Sequence, residues 1–370
     1  MPSPSASERV SESMEYIPEK TAKIKPYGFE DASGVTVKLD ANESFVSLPE
    51  RLRAKLAEIA MNADYNRYPD PVSSSAVSAY GEYAGVPKEN IVAGNGSDEL
   101  ISLIESSLLK GGDKLLCLAP DFSMYRFYSG LAELEFIDMP KRGDFAIDTA
   151  ALAQKARELN AKAVMFSNPC SPTGLGISRK EVLDLVSDTD RLWIVDEAYM
   201  DFWDQSIADV AYKLPNVIVL KTCSKAFGLA ALRLGFAISN SELTEALIKA
   251  KSPANVNYLT CEMAAAVISD RDYISGAISS IKASAAELEN ALASLGEKCG
   301  FTTVKTVANF VFAVPKTKGD AEKIQTFLRG KGVLVRRLGE MLRITAGSKA
   351  ENGALIEALE NYAEFRKAEK

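Results

Sequence analysis

Histidine is absent from this 370-residue chain, and that absence removes whole classes of chemistry. Ser-His-Asp and Cys-His relays cannot be built, nor can a metal site held by imidazole. Any general base must be a lysine, an acid, a tyrosine or a cysteine. Cysteine is sparse: Cys117, Cys170, Cys223, Cys261 and Cys299 are scattered, odd in number and without a CxxC pair. Neither a disulfide frame nor a zinc cluster is expected, and a reduced, cytoplasmic setting is the natural reading. Positive charge is also short: 43 Lys and Arg stand against 50 Asp and Glu, a net charge of -7. With a pI near 5.1 and no basic stripe, a nucleic-acid surface is not expected. No apolar run is long enough to span a bilayer, so no membrane partner is expected. Residues 1–8 lack the basic and apolar segments of a signal peptide and read as a frayed tail. No GxxxxGK[ST] phosphate loop occurs.

What is present is an ordinary globular balance, 47% hydrophobic and 25% charged. The length suggests two domains, or one large domain with an appendage. A βα alternation predicts strands within 90–96 and at 115–119, 134–137, 163–167, 192–195, 217–220 and 234–238. Helical spacing recurs at 51–61, 73–83, 100–109, 149–159, 179–186 and 242–251. The strands are near-continuously apolar, as in a mostly parallel sheet covered by helices on both faces. Beyond residue 252 the pattern changes. A helical region runs from about 261 to 295, then strand-like pieces at 301–305, 310–314, 333–336 and 341–345, then a closing helix at 354–362. That segregation points to a smaller α+β domain.

Four features sit at the ends of predicted strands, where α/β sheets place their ligands. Gly94-Asn-Gly-Ser-Asp-Glu99 turns tightly into a helix whose first N–H groups can receive an anion. Ser97 or Asp98 as a plain N-cap accounts for it equally well. Ser167–Gly174, with two prolines and a glycine, fixes an irregular loop from which Asn168 projects an amide; an ordinary turn is the alternative. Ile194–Tyr199 closes an apolar strand with Asp196. Such a carboxylate pairs with a protonated ring nitrogen or, alternatively, with magnesium, although the phosphate loop that accompanies the metal is missing. The fourth feature is Lys221–Phe236. Lys225 follows a strand-like run, with Ser224 beside it and Arg233 eight positions on. A lysine in such a setting is usable as an amine nucleophile that captures a carbonyl as a Schiff base. Serine and arginine suit a phosphate. Together they suggest pyridoxal phosphate; a surface Ser-Lys with Arg233 in an ion pair reads the segment as plainly. Asn168, Asp196 and Lys225 are spaced by 28 and 29 residues, about one βα unit each, and so would line one edge of one sheet.

These segments, with Lys38-Leu-Asp-Ala-Asn-Glu43, Arg67-Tyr-Pro-Asp-Pro71, Ser123-Met-Tyr125, Asp196-Glu-Ala-Tyr199, Leu232-Arg-Leu-Gly-Phe236 and Leu342-Arg-Ile-Thr345, resemble the fold-type-I aminotransferases. Within them the resemblance is to the histidinol-phosphate aminotransferase family, from about Tyr27 to Tyr362. It implies an α/β fold: a large domain (46–252) with a mostly parallel seven-stranded sheet between helices, and a smaller α+β domain (253–370). Residues 1–45 would form an N-terminal arm and part of the small domain. It further implies pyridoxal phosphate bound to Lys225, with Asp196 on the pyridine nitrogen, Asn168 and Tyr199 on the phenolic oxygen, and Phe122 against the ring. Ser97, Asp98, Ser224 and Arg233 would hold the phosphate, and Tyr68 would reach the phosphate of a neighbouring subunit in a homodimer. Tyr27, Asn42, Arg336 and Arg343 are the implied substrate contacts, and no metal is implied. The implied reaction moves an amino group from a small-molecule donor, histidinol phosphate, to a keto acid, 2-oxoglutarate. An aromatic or broad amino-acid aminotransferase and a lyase that decarboxylates threonine phosphate stand as alternatives. Three departures are visible. Ser44-Phe-Val-Ser47 follows Asn42-Glu43 where the family continues Asn-Pro-(Tyr/Phe)-Gly; Cys170 replaces a usual asparagine; and Asp121 stands where threonine is commoner.

Overall fold

The predicted apolar runs become strands, and they sort into two sheets. A computed structural model describes residues 16–24, 28 and 32–368. β1 (Val37–Leu39) stands apart from the next seven strands: β2 (Ile91–Gly94), β3 (Lys114–Ala119), β4 (Glu135–Pro140), β5 (Ala163–Ser167), β6 (Leu192–Asp196), β7 (Val217–Thr222) and β8 (Gly235–Ile238). These seven form one sheet in the order β2-β8-β7-β6-β5-β3-β4. Only β8 runs against its neighbours. β5 and β7 are buried along their whole length and β6 nearly so, because helices cover both faces and leave no polar side. β4, at the sheet edge, alternates between exposed and half-buried residues instead.

β9 (Phe301–Val304), β10 (Phe310–Pro315), β11 (Val333–Leu338) and β12 (Met341–Thr345) join β1 in the smaller sheet, ordered β1-β11-β12-β10-β9. Its pairs are antiparallel except β1 with β11. β1 therefore carries the N-terminal chain into the small sheet, and the loop after it toward the end of the large one.

Two expectations are corrected. The helical region expected from about 261 to 295 is two helices, Tyr258–Ser269 and Arg271–Cys299. Asp270 separates them with ψ 81°, and its carboxylate accepts the Tyr273 N–H as an N-cap. The second concerns that single helical stretch itself, whose two helices divide their packing between two cores. Val256, Ala264, Ile268 and Ala277 share the core of the large sheet, whereas Ala285, Leu288 and Leu292 pack with β1 and the small sheet. A further apolar cluster, including Tyr199, Ala226, Ile281 and Phe310, bridges the two. Helix Met124–Leu131, rich in aromatics, was not expected.

The N-terminal tail and Tyr27 lie outside the described residues. Among the described residues no helix is long and apolar enough to cross a membrane, and no cluster of metal-ligating side chains is found. All five cysteines are free and buried.

Candidate active site

The three strand ends that the spacing put on one edge are direct neighbours. Ser167 of β5 is in register with Asp196 of β6, and the Asn168 N–H donates to the Asp196 carbonyl at 2.8 Å. Asp196 in turn pairs with Leu220 of β7, three residues short of the turn that carries Ser224 and Lys225. The Asp196 side chain is buried. Its Oδ2 accepts from the Tyr125 hydroxyl at 2.8 Å and its Oδ1 from the Ala198 N–H at 3.0 Å. Burial pushes this carboxyl up to about 6, with the Tyr125 and Ala198 hydrogen bonds pulling the other way. A buried carboxylate so placed gains from a cation beside it. Tyr125 was visible in the sequence only as a motif member. Its role as the partner of Asp196 spans 71 residues of chain, and no local pattern announces it.

Lys225 Nζ donates to the Ala41 carbonyl at 2.9 Å and lies 6.0 Å from the centroid of the Tyr199 ring. Tyr199 packs edge-on against Phe310 of β10, 5.1 Å between centroids, and its hydroxyl oxygen accepts from Asn42 Nδ2 at 2.9 Å. Asn42 is fully buried, with a left-handed φ of 54°. Its main-chain N–H donates to Thr345 Oγ1 at 2.9 Å and its Oδ1 accepts from the Thr345 hydroxyl at 3.1 Å. Asn42 was expected to touch substrate. Its amide oxygen and one amide hydrogen are engaged inside the protein, by Thr345 and Tyr199.

A third group gathers at the N-terminus of helix Gly96–Ser107. Gly96 has a φ of 78°, and a Cβ on it would sit 2.8 Å from Arg233 Nη2. Gly235 opens β8, and a Cβ there would meet the Ser97 nitrogen at 2.6 Å. Both positions therefore require glycine. Arg233, itself left-handed at φ 52°, donates to Ser224 Oγ at 3.4 Å and to Asp98 Oδ2 at 3.2 Å. Burial pushes the Asp98 carboxyl up, and Arg233 and Lys225 oppose that; its Oδ1 is buried without a hydrogen-bond partner. Helix N–H groups, a serine and an arginine around a backbone that only glycine permits form an anion cradle. The residues present therefore fit a cofactor with a phosphate at one end, an amine-reactive carbon near Lys225 and a cationic ring nitrogen near Asp196.

Asn168 is also buried, and its amide is committed twice to Ile177: it donates to the carbonyl at 3.1 Å and accepts the N–H at 2.9 Å. These bonds fix the loop and use one of the two amide hydrogens, leaving the second for the expected contact with a phenolic oxygen. In the same loop the Ser171 hydroxyl accepts from Arg343 Nη1 at 3.0 Å. Phe122 is half-buried and meets Tyr125 edge-on at 5.6 Å. Its N–H is held at 2.8 Å by Asp121, which also accepts from the Ser167 hydroxyl and N–H. Lys141 lies 3.6 Å from Asp121, both side chains buried. It donates to Cys170 Sγ at 2.8 Å and to the Pro120 carbonyl at 2.6 Å. Asp121 and Cys170, two separate departures in the sequence, thus meet around one lysine that sequence reasoning passed over.

Arg336 and Arg343 face each other across β11 and β12 as direct register partners. Arg343 Nη2 donates to the Asp40 carbonyl at 2.7 Å, and its guanidinium lies 5.7 Å from the Phe310 ring. Tyr68, in the loop before helix Ser74–Ala84, is 97% exposed.

Residues 35–359 match the sequence model of the family "Aminotransferase class I and II". A histidinol-phosphate aminotransferase from Clostridium kluyveri is 37% identical over 328 residues, 87% of this chain and 92% of that protein. The solved histidinol-phosphate aminotransferase from Sinorhizobium meliloti, in complex with pyridoxal-5'-phosphate, is similar with a TM-score of 0.84 at 21% identity, over 93% of this chain and 98% of that one. L-threonine-O-3-phosphate decarboxylase from Porphyromonas gingivalis is similar with a TM-score of 0.76 at 21% identity, over 89% and 99%. The two structural likenesses speak for the fold alone. The family match extends over both sheets and every strand end described above, and this chain belongs to the class I and II aminotransferases.

Proposed function

We propose that this chain is a pyridoxal-phosphate-dependent aminotransferase that moves the amino group of histidinol phosphate to 2-oxoglutarate, as a cytoplasmic homodimer. The observation that carries the reading is the convergence of Lys225, Asp196 and the Ser224–Arg233 cradle at the ends of β6, β7 and β8. The relative from Clostridium kluyveri supports the substrate, and Arg336 and Arg343, register partners on β11 and β12, bring two guanidinium groups of the type that suits a phosphate or carboxylate.

Pyridoxal phosphate supplies an electron sink for the carbanion left when the donor's Cα proton departs. Lys225 is the residue that would hold the cofactor through its aldehyde carbon, and its Nζ, once free, would be the base for the Cα proton in place of a histidine. Asp196 keeps the ring nitrogen protonated, with Tyr125 and Ala198 fixing the carboxylate. Tyr199 would hydrogen-bond the phenolic oxygen and Phe122 would cover the ring face. The N–H groups of Ser97 and Asp98, with Ser224 and Arg233, hold the phosphate. Tyr68 completes that site from the partner subunit.

Two measurements check this. Purified protein given histidinol phosphate should convert its absorption to that of the pyridoxamine form, and 2-oxoglutarate should restore it. Arg343→Ala should impair both half-reactions, and Arg336→Ala should hurt the phosphate-bearing donor more than short amino acids. Each should lose roughly 2–4 kcal/mol of transition-state binding. A wild-type preference for phenylalanine or tyrosine that Arg336→Ala leaves intact would replace this reading with an aromatic aminotransferase. Carbon dioxide released from threonine phosphate would replace it with the lyase.

The shared site is checked by mixing Lys225→Ala chains with Tyr68→Phe chains, each defective alone. In a heterodimer one site carries both lesions and the other neither. Random exchange should therefore restore about a quarter of wild-type activity. No recovery despite demonstrated exchange counts against the shared site.

A further inference from the structure

The hydrogen bonds around Asn42 have a direction, and that direction reaches Tyr199. The Asn42 main-chain N–H can only donate, and it donates to Thr345 Oγ1 at 2.9 Å. Thr345 is buried, and among the described residues the only acceptor shown for its own proton is Asn42 Oδ1 at 3.1 Å. A flipped amide would strand that buried proton, a cost that buried polar groups avoid. The amide oxygen therefore faces Thr345 and the amide nitrogen faces Tyr199, at 2.9 Å. The network itself makes the choice between the amide's two ends.

Tyr199 Oη consequently accepts from Asn42, and its own proton must turn elsewhere. The ring cannot swing away, since it is buried and packed against Phe310. Only the hydroxyl rotor is free to respond. Asn42 is itself pinned through its carbonyl by Asn309 Nδ2 at 3.0 Å, and the adjacent Ala41 carbonyl holds Lys225. We propose that Thr345 and Asn42 are positioning residues that polarise Tyr199, fixing its hydroxyl as a donor into the site beside Lys225. The proposal rests on the cofactor reading above and deepens it. The hydroxyl then donates to the phenolic oxygen of bound pyridoxal phosphate and draws off negative charge. That charge would otherwise help retain a proton on the nitrogen joining lysine to cofactor. Because Thr345 lies on the small sheet and Tyr199 follows β6 of the large one, the orientation depends on the two sheets being in contact.

The test is the pH midpoint at which the visible absorption of the cofactor-loaded protein changes. Thr345→Val keeps the shape and β-branching but removes the hydroxyl, so Asn42 can turn its oxygen toward Tyr199. The midpoint should rise by about one pH unit. Thr345→Ser restores the hydroxyl and should restore the wild-type midpoint. Asn42→Asp, tolerated at a left-handed position, presents only acceptors to Tyr199 and should raise the midpoint too. Its added charge could do so without Tyr199, so both changes are repeated on Tyr199→Phe. There Thr345→Val should move nothing further, and Asn42→Asp should move less than it does with Tyr199 present. If Thr345→Val leaves the midpoint unmoved, or shifts it equally with and without the Tyr199 hydroxyl, the orientation proposal is wrong. A wild-type protein with no titrating cofactor band overturns the site assignment itself.

Discussion

Lys225→Ala should abolish transamination while leaving the fold and much of the cofactor binding in place. The lysine is the group whose replacement costs most, because two tasks fall on one nitrogen. In the proposed reading it holds the aldehyde carbon and later carries the Cα proton, in a chain that has no histidine to share the work. General base catalysis alone contributes up to about 10⁴-fold, so turnover should fall by at least that much. Stability should change little. The Lys225 side chain contributes one hydrogen bond, to the Ala41 carbonyl, whereas the phosphate cradle of Ser224, Arg233 and the helix beginning at Gly96 is untouched. Borohydride reduction of the wild-type enzyme and peptide mapping give the direct check. A pyridoxyl adduct on Lys221 or any other lysine sinks the assignment.

Asp196→Asn should be the next most damaging change, with the loss concentrated in turnover. The proposed pair of Asp196 with a ring nitrogen would be an electrostatic interaction made in a dry place, where removing one aimed group costs about 10²–10³-fold in rate. Cofactor affinity should fall by less, since the phosphate and Lys225 contacts remain. The buried carboxyl also sets a pH dependence. Burial raises it from 3.8 to about 6 in the cofactor-free protein. Its favourable contribution to folding is therefore complete below about 4 and is lost as the pH rises through 6. Cofactor binding has the opposite sign: the ionised carboxylate is what attracts a cationic ring. Wild-type affinity for pyridoxal phosphate should strengthen as the pH rises through about 6, and the Asn variant should lack that step. Fluorescence titrations at pH 5 and pH 7.5 read the difference. Near-normal turnover in Asp196→Asn, or an identical pH step in both proteins, removes the role assigned to it.

Much of the large sheet was legible because β5, β6 and β7 are buried on both faces. Continuous apolar runs such as Ala163–Ser167 leave few other readings, and the even spacing of Asn168, Asp196 and Lys225 follows from one crossover per strand. In the small sheet Met341–Thr345 was legible by alternation instead, with Leu342 and Ile344 buried and Met341 and Arg343 half-buried. Helix Met124–Leu131 was not, although its apolar residues recur at helical spacing: it is only eight residues long, and Tyr125 owes its place to Asp196 and Phe122 across space. Asp270 interrupts a helix by capping the next one, a choice that an alanine- and serine-rich stretch does not display. At the site, residue types were readable and commitments were not. Asn168 and Asn42 carry the amides the chemistry wants, and the sequence does not show the partners that fix them, Ile177 across its loop and Tyr199 and Thr345 far along the chain. Lys141 shows the converse: an unremarkable lysine after an edge strand becomes the buried counterpart of Asp121 and Cys170.

That last cluster constrains how this sequence can drift. Lys141, Asp121 and Cys170 form one unit with the Ser167 turn and the Phe122 main chain. Changing Asp121 or Lys141 alone strands the other's buried charge, at a cost of about 3–5 kcal/mol. Grafting threonine into position 121 and asparagine into position 170 therefore demands a new residue at 141 in the same step. Three positions that lie in different segments of the chain have to change together.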